Sequence, residues 1–309
     1  WLAYDKEAAR RSRLAERAHS TTGVKDELVS TLAIAADAYL VRRSKPAGMT
    51  VVAGYPWFAD WGRDAMIALT GLTLVTGRPA DARALLTTFM RLVKHGLAPN
   101  NFHDDGKSAG YNTVDAALWL IVSLERYVTL TNDLAFGKES LAKVREIIDA
   151  YIAGTNYGIQ VDPKDGLLLS GNAKIQLTWM DVKIGDWVVT PRSGKPIEIQ
   201  ALWLGALAAE ARLSGLMQEQ PRYLEPYGKA RESFSTFWRK NLGEDGQITE
   251  RFMDVIGLSG EPDGSLRPNA ALALSLPDTP LTPEQLNALI NEIETNLLTT
   301  MGLHSLSPS

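Results

Sequence analysis

The chain has 309 residues, of which 45% are hydrophobic and 22% charged, an ordinary balance for a globular protein. The formal net charge of −4 excludes the basic field of a nucleic-acid-binding surface, so we expect no nucleic-acid partner. The sequence has no cysteine, which excludes thiolate chemistry and fits the cytoplasm, and no apolar run reaches the roughly 18 residues of a membrane span.

Helical periodicity begins near the start of the chain. A highly charged helix is predicted near residues 3–18 and a second near 24–42, and we interpret residues 1–50 as helices that lead into the main domain. Strand signals are minor and comprise TVVAG (50–54) and a hairpin around PKDG (163–166).

The rest of the chain, residues 51–309, alternates between two kinds of helix. Segments such as AALWLIVSL (116–124) and ALWLGALAA (201–209) are apolar all round and should be buried. Others, such as residues 138–154, carry one apolar face. In chain order the buried helices are predicted at 62–77, 113–131, 197–214 and 268–276, and the amphipathic ones at 81–95, 138–154, 221–241 and 283–298. Alternating inner and outer helices predict an all-α fold, a two-layer α/α toroid.

Each buried helix is preceded by a loop rich in aromatic, acidic, amide and arginine residues, here termed a rim loop. Because the helices alternate in direction, the rim loops should lie on one rim of the barrel and form a polar-aromatic mouth. The four rim loops are GYPWFADWGRD (54–64), APNNFHDDGKSAGYNTVD (98–115), the stretch LTWMDVKIGDWVVTPRSG (177–194), which runs on to KPIEIQALW, and EPDGSLRPNA (261–270).

Tryptophans are concentrated in these loops. Flat aromatic faces stack on the apolar faces of sugar rings, while carboxylates, amides and arginines bind hydroxyl groups, so the loops resemble a carbohydrate surface. Trp119 and Trp203 are predicted about a turn into buried helices. The alternative is that the tryptophans plug the barrel end; for the set as a whole we favour ligand contact. The rim loops contain Trp57, Trp61, Trp179 and Trp187.

Several acidic residues stand near predicted helix starts. Asp64 and Asp115 occupy positions where a negative charge is favourable by about 0.3–1 kcal/mol, and Asn112 with Asp115 fits an ordinary cap. Glu198 also lies near a helix start. Capping alone is therefore an open alternative to a functional role for each of these residues.

Asp181 differs because it opens no predicted helix. It follows Trp179 closely in a loop, and an apolar neighbour would raise the pKa of the carboxyl and keep it protonated. A protonated carboxyl is what a general acid requires; the alternative is an ordinary turn aspartate.

Motifs for other chemistries are absent from the sequence. It has no G-x-G-x-x-G, P-loop, H-E-x-x-H or G-x-S-x-G pattern, and its four histidines show no metal-binding spacing. We expect no cofactor and no metal, which leaves paired carboxylates as the best candidate catalysts.

Three motif groups, in order, resemble one family. AGYPWFADWGRD, PNNF with YNTVDAALW, and QLTWMD with DWVVTPRSGKPIEIQALW resemble the C-terminal domain of glycogen debranching enzymes, the amylo-α-1,6-glucosidase family, most of all the short bacterial and archaeal type. The resemblance covers roughly residues 25–309. The final GLHSLSPS is similar to a further family motif, with His304 where the family pattern has arginine.

This resemblance implies an (α/α)6 barrel that hydrolyses α-1,6-linked glucose of glycogen or another branched α-glucan with inversion. It implies that Asp181 is the general acid and that Arg63 and Asp64 bind the glucose unit in the first subsite. The other expected substrate contacts are Trp57, Trp61, Asn112, Asp115, Trp179, Arg192 and Glu198.

One departure from the family pattern concerns completeness. Six inner helices are expected and four are found, so we expect a fragment whose second carboxylate, the general base, lies beyond Ser309. An inverting hydrolase needs both carboxyls, about 6.5–9.5 Å apart. Two alternatives remain: a related glucoamylase-like or trehalase-like barrel hydrolase, and a non-catalytic glucan-binding module.

Overall fold

The computed structural model describes residues 1–102, 108–242 and 248–308. The protein is helix-rich, at 53%, as the sequence predicts, and short strands lie between the helices. The chain divides into two compact units, Trp1–Lys143 and Val144–Ser309. Within the described ranges no helix combines the length and the apolar character that crossing a bilayer requires. Closure into a toroid, the expected total of six inner helices and the boundary near residue 50 stay predictions.

The helices occur in the predicted order. They are α1 (Leu2–Thr22), α2 (Glu27–Tyr39), α3 (Gly62–Leu69), α4 (Pro79–Leu92), α5 (Ala116–Thr131), α6 (Leu134–Ala153), α7 (Ile197–Leu216), α8 (Leu224–Ser233), α9 (Asn269–Leu274) and α10 (Pro283–Asn296).

The strands are short and form local antiparallel pairs or three-stranded sheets. They are β1 (Leu40–Ser44), β2 (Ala47–Gly54), β3 (Phe58–Asp60), β4 (Asn101–Phe102), β5 (Ala109–Gly110), β6 (Gln160–Val161), β7 (Leu168–Leu169), β8 (Lys183–Ile184), β9 (Trp187–Val188), β10 (Lys195–Pro196), β11 (Trp238–Leu242), β12 (Ile248–Phe252), β13 (Val255–Ile256), β14 (Pro262–Asp263), β15 (Leu298–Thr299) and β16 (Gly302–Leu303). Both strand signals are confirmed, by β2 and by the β6–β7 hairpin.

In the first unit, α3 and α5 form the buried layer. Met66 and Leu69 of α3 are 1% and 0% exposed, and Ser123 of α5 donates a hydrogen bond to the Met66 carbonyl at 2.8 Å. The predicted helix over 62–77 is realised as α3 followed directly by a π-helical turn, Thr70–Leu74. The buried layer therefore fixes the ends of the first two rim loops.

Gly62 allows those two rim loops to touch. Its backbone N–H donates to the Asn100 carbonyl at 2.8 Å. A Cβ at this position would lie 1.9 Å from the Pro99 carbonyl oxygen, a distance that no side chain tolerates. The start of α3 thus lies directly against the second rim loop.

In the second unit, α7 is the buried helix and carries Trp203, which is fully buried and donates to the Gly166 carbonyl at 3.0 Å. The predicted outer helix over 221–241 is too long. It ends with α8 and a 3-10 turn at Phe234–Phe237, and the chain then enters β11, which pairs with β12. The Trp238 ring packs on Phe252 at 4.8 Å, so cross-strand aromatic packing overrides the helical pattern there.

A three-stranded sheet in the order β10–β13–β14 organises the loops of this unit. Pro196 pairs with Val255, and Val255 in turn pairs with Asp263. Strand β10 leads directly into α7, so the sheet holds the chain segments around residues 192 and 254 beside the start of the buried helix.

Candidate active site

In the first unit, a buried ion pair joins the first and second rim loops. The Arg63 Nε on α3 donates to Asp115 Oδ2 at 2.6 Å, and the two side chains are 7% and 3% exposed. Thr113 Oγ1 donates to the other carboxylate oxygen at 2.6 Å. The same hydroxyl accepts from the Ala116 N–H at 3.3 Å, whereas the Asp115 side chain makes no capping hydrogen bond. The Asp115 carboxylate therefore binds Arg63 rather than capping the helix.

Asp64, the next residue along α3, is partly buried. Burial raises the pKa of its carboxyl, while the neighbouring Arg63 guanidinium opposes the shift. The negative charge of Asp115 adds to the increase in the Asp64 pKa. A carboxyl whose pKa depends on local charge in this way is a candidate functional group, and its predicted contact with glucose stays a prediction.

The other predicted residues of the first unit differ in exposure. Trp57 is 83% exposed, whereas Trp61 is partly buried and its backbone forms a bridge with Asn101 in the second rim loop. Asn112 is partly buried, and its Oδ1 lies 3.2 Å from the place a Cβ on Gly110 would take. Residues 103–107 of that loop lie outside the described residues. The first two rim loops thus meet, with one tryptophan open to solvent.

In the second unit, Arg192 and Glu198 form a bidentate pair. Arg192 Nη2 donates to Glu198 Oε2 at 2.8 Å, and Nη1 donates to the other carboxylate oxygen. The side chains are 2% and 3% exposed. Burial raises the pKa of the Glu198 carboxyl, and the Arg192 guanidinium opposes that increase.

Asp254 completes this cluster, and sequence reasoning missed it. Its carboxylate accepts from Arg192 Nε and Nη2 at 3.2 and 3.1 Å and from Arg267 Nη1 at 2.9 Å. The residue is 4% exposed. A signal was present in FMDVI (252–256), where one carboxylate interrupts an apolar stretch, because a charge in such a setting requires buried partners.

The β10–β13–β14 sheet accounts for this convergence. Asp254 directly precedes β13, its N–H donates to the Asp263 carbonyl at 2.8 Å, and its own carbonyl accepts from Ile197 N at 3.0 Å. Gly194 has φ 103°, and a Cβ there would lie 2.3 Å from the Ile256 carbonyl oxygen. Only glycine allows the loop that carries Arg192 to lie so close to β13.

The loop that carries Asp181 is attached to the same cluster. The Trp179 Nε1–H donates to Asn269 Oδ1 at 2.6 Å, and Asn269 Nδ2 donates to Asp254 Oδ1 at 2.7 Å. Asp181 and Trp179 are both partly buried. Trp187, at the start of β9, is 61% exposed.

The structure therefore brings the rim loops together in pairs, the first with the second and the third with the fourth. Of the tryptophans outside the loops, Trp119 and Trp203 lie in buried helices, as predicted, and at 7% and 0% exposure they belong to the core. A single mouth shared by all four loops stays a prediction. Across the described ranges, no three His, Cys, Asp or Glu side chains form a group suited to a metal ion.

Comparison with known proteins identifies relatives among glycan-processing enzymes. Residues 34–309 match the family described as Amylo-alpha-1,6-glucosidase. The glycogen debranching enzyme of Saccharomyces cerevisiae is 25% identical over an alignment 348 residues long, which covers 84% of this chain and 22% of the yeast protein. The chain thus spans about a fifth of this relative's length.

Solved structures share the fold. The mannosylglycerate hydrolase of family GH63 from Thermus thermophilus superposes with a TM-score of 0.62 at 13% identity, covering 96% of this chain and 80% of that one. A GH78 rhamnosidase from Bacillus sp. GL1 gives a TM-score of 0.50 at 11% identity, over 76% of this chain and 22% of that one. At such low identities the likeness concerns the fold alone, which is that of helix-rich α/α glycosidases.

Proposed function

Because the chain belongs to the amylo-α-1,6-glucosidase family, we propose that it is part of a hydrolase that releases glucose from the α-1,6 branch points of glycogen or limit dextrin. The observation that carries this proposal is the attachment of the Asp181 loop to a buried network. Trp179 binds Asn269 at 2.6 Å, so the partly buried Asp181, two residues further along the chain, lies on a loop of restricted position. The family description supports the α-1,6 linkage, and the name of the yeast relative, glycogen debranching enzyme, supports glycogen as the substrate.

In the proposed reaction Asp181 is the general acid. It donates its proton to the glycosidic oxygen as the bond between that oxygen and the anomeric carbon breaks. A water molecule attacks the anomeric carbon from the opposite face and gives up its proton to a second carboxylate. The products are β-glucose and an unbranched glucan chain, so the configuration at the anomeric carbon is inverted.

The second carboxylate is neither Glu198 nor Asp254 in this proposal. Both are almost completely buried and form ion pairs with Arg192, so neither carboxylate is available to bind and deprotonate a water. We infer that Arg192 and Glu198 support the loops rather than touch the sugar.

The proposed sugar contacts come from residues with accessible groups. Trp57 and Trp187, at 83% and 61% exposure, offer flat faces for stacking against sugar rings. Asp64 is partly buried but not enclosed, so its carboxyl suits the hydroxyl groups of a bound glucose. Trp61 and Asn112 are proposed as further contacts, and Arg63 with Asp115 as the ion pair that holds Asp64 in place.

Replacement of the proposed acid tests this function in the full-length protein. Asp181→Asn should lower kcat for glucose release from a branched limit dextrin by about 10²–10⁴-fold, because an amide cannot protonate the leaving oxygen. Asp186→Asn changes an exposed aspartate of the same loop and serves as the matched control. An Asp181→Asn variant within about tenfold of the unmodified protein contradicts the assignment.

A second candidate is a barrel hydrolase with another substrate. The fold is shared with a mannosylglycerate hydrolase and a rhamnosidase, so the fold does not select the substrate. Rates on α-1,6-, α-1,4- and α,α-1,1-linked glucosides separate the candidates. Release of glucose fastest from the α-1,4 or α,α-1,1 linkage would replace the branch-point assignment.

A further inference from the structure

Asn269 has both ends of its amide bound inside the second unit. The residue is 0% exposed. Its Oδ1 accepts from the Trp179 indole at 2.6 Å, while its Nδ2 donates to Asp254 Oδ1 at 2.7 Å and approaches Met180 Sδ at 3.6 Å. An indole nitrogen can only donate and a carboxylate can only accept, so these partners allow one orientation of the amide.

The carboxylate that anchors Asn269 is itself held firmly. Asp254 accepts from Arg267 Nη1 at 2.9 Å, and Arg267 also donates to Asp263 at 2.9 Å. Arg192 donates to Asp254 from the opposite loop at 3.1 Å. Buried charge-assisted hydrogen bonds of this kind have little freedom to rearrange. Through Asn269, this hydrogen-bonded network therefore restricts the positions of residues 179 and 180.

A capping role does not account for this arrangement. Asn269 is the first residue of α9, and the residue in the N-cap position is Pro268. The Asn269 amide is directed at the third rim loop instead, where it contacts two successive residues, Trp179 and Met180. Asp181 is the next residue in the chain.

We propose that Asn269 is the positioning residue for the general acid, holding Trp179 and Met180 so that the Asp181 carboxyl faces the glycosidic oxygen. This inference rests on the proposed function of Asp181. Asn269 touches neither substrate nor reacting atoms in this role. Its effect is on the alignment of proton transfer, since misplacement by about 1 Å can lower a rate by about 10²-fold.

Two substrates separate this role from a general effect on folding. Asn269→Leu, in the full-length protein, should lower kcat on limit dextrin by about 10–10²-fold and leave KM nearly unchanged. On α-glucosyl fluoride the loss should be much smaller, because fluoride departs without protonation by an acid. Asn291→Leu, which changes an exposed asparagine of α10, is the matched control. Equal losses on both substrates, or a change in KM alone, would overturn the proposal.

Asn269→Asp provides a pH-dependent test. At neutral pH the new carboxylate faces Asp254, so repulsion between like charges should displace the loop. When protonated, the new carboxyl accepts from the indole and donates to Asp254, as the amide does. Activity relative to the unmodified protein should therefore recover below about pH 6 for Asn269→Asp and not for Asn269→Leu. Parallel pH profiles for the two variants would contradict the positioning role.

The indole hydrogen bond gives a readout that is independent of catalysis. Trp179→Phe keeps an aromatic ring but removes the N–H, so it identifies the Trp179 indole resonance in the NMR spectrum. That resonance should move in Asn269→Leu and not in Asn291→Leu. Should Asn269→Leu fail to fold, Trp179→Phe replaces it in the two-substrate test. If Asp181→Asn is fully active while the resonance moves, the acid assignment fails and the contact stands; an unmoved resonance overturns the contact itself.

Discussion

Replacement of Arg192 by methionine should destabilise the protein more than any surface change of the same chemistry. Methionine fills a similar apolar volume but carries no charge, so Arg192→Met leaves the Glu198 carboxylate buried without its partner. The Glu198 side chain is 3% exposed, so water cannot replace the lost hydrogen bonds.

The expected loss of unfolding free energy in Arg192→Met follows from the partners that Asp254 and Glu198 retain. Asp254 keeps Arg267 at 2.9 Å and Asn269 at 2.7 Å, so only Glu198 is left uncompensated. Removal of one partner from a buried ion pair lowers the free energy of unfolding by about 3–5 kcal/mol. Arg212→Met removes the exposed pair with Asp278 and should cost no more than about 1 kcal/mol.

Urea denaturation followed by circular dichroism measures these costs. Adding Glu198→Gln to Arg192→Met removes the unpaired charge, so the double variant should be more stable than the sum of the single costs implies, by about 2–3 kcal/mol. If the losses of unfolding free energy in Arg192→Met and Glu198→Gln simply add in the double variant, the reasoning is refuted.

The pH dependence provides a second test of the Arg192 prediction. Without Arg192, burial and the negative charge of Asp254 raise the Glu198 pKa against a backbone hydrogen bond alone. A carboxyl with a raised folded-state pKa destabilises the protein increasingly as pH rises from its unfolded value of about 4.3. The stability deficit of Arg192→Met should therefore be smaller at pH 5 than at pH 7, and a constant deficit would contradict this.

Two further predictions concern the same unit. Gly194→Ala should lower the free energy of unfolding by about 1–3 kcal/mol, because φ is 103° and the new Cβ would strike the Ile256 carbonyl, whereas Gly215→Ala has open space and should be neutral or stabilising in the same urea assay. Burial alone would raise the pKa of Asp162, but the hydrogen bonds from Lys195 at 2.7 Å and from the Lys164 backbone at 3.0 Å, together with the charges of both lysines, outweigh it, so that pKa lies below its usual value. The ionised Asp162 therefore adds to the free energy of unfolding above pH of about 3.9, and this stabilisation is lost as pH falls through the folded-state pKa. The loss of unfolding free energy caused by Lys195→Met should therefore become smaller on acidification. A loss that does not change with pH contradicts this prediction.

Local chemistry was sufficient to predict most helices. Runs that are apolar all round, such as 116–124 and 201–209, predicted α5 and α7, because a helix without a polar face must be buried. The prediction failed at residues 238–241, where the chain forms β11 and pairs with the nearby strand β12, because the helical period of the segment does not record that pairing. Strand formation there depends on tertiary pairing.

The candidate residue types of the site were likewise proposed from the sequence. Tryptophan, aspartate and arginine in loops before buried helices indicated a carbohydrate surface, and TWMD indicated Asp181. Sequence reasoning gave Arg192 and Glu198 the role of substrate contacts. The sequence alone does not reveal that Arg192 and Glu198 pair with each other inside the second unit.

Which loops meet was decided only by the tertiary structure. Sequence reasoning did not predict a role for Asp254 or Asn269, because each resembles an ordinary strand-end or helix-start residue. Their partners lie 62 residues away at Arg192 and 90 residues away at Trp179. The amino-acid sequence thus determined which segments are helical, and it supplied the candidate side chains for contact with a sugar. The pairing of β10 with β13 and the packing of α9 against α7 determined the contacts, because a buried charge or amide takes its partners from whatever the fold brings within hydrogen-bond distance.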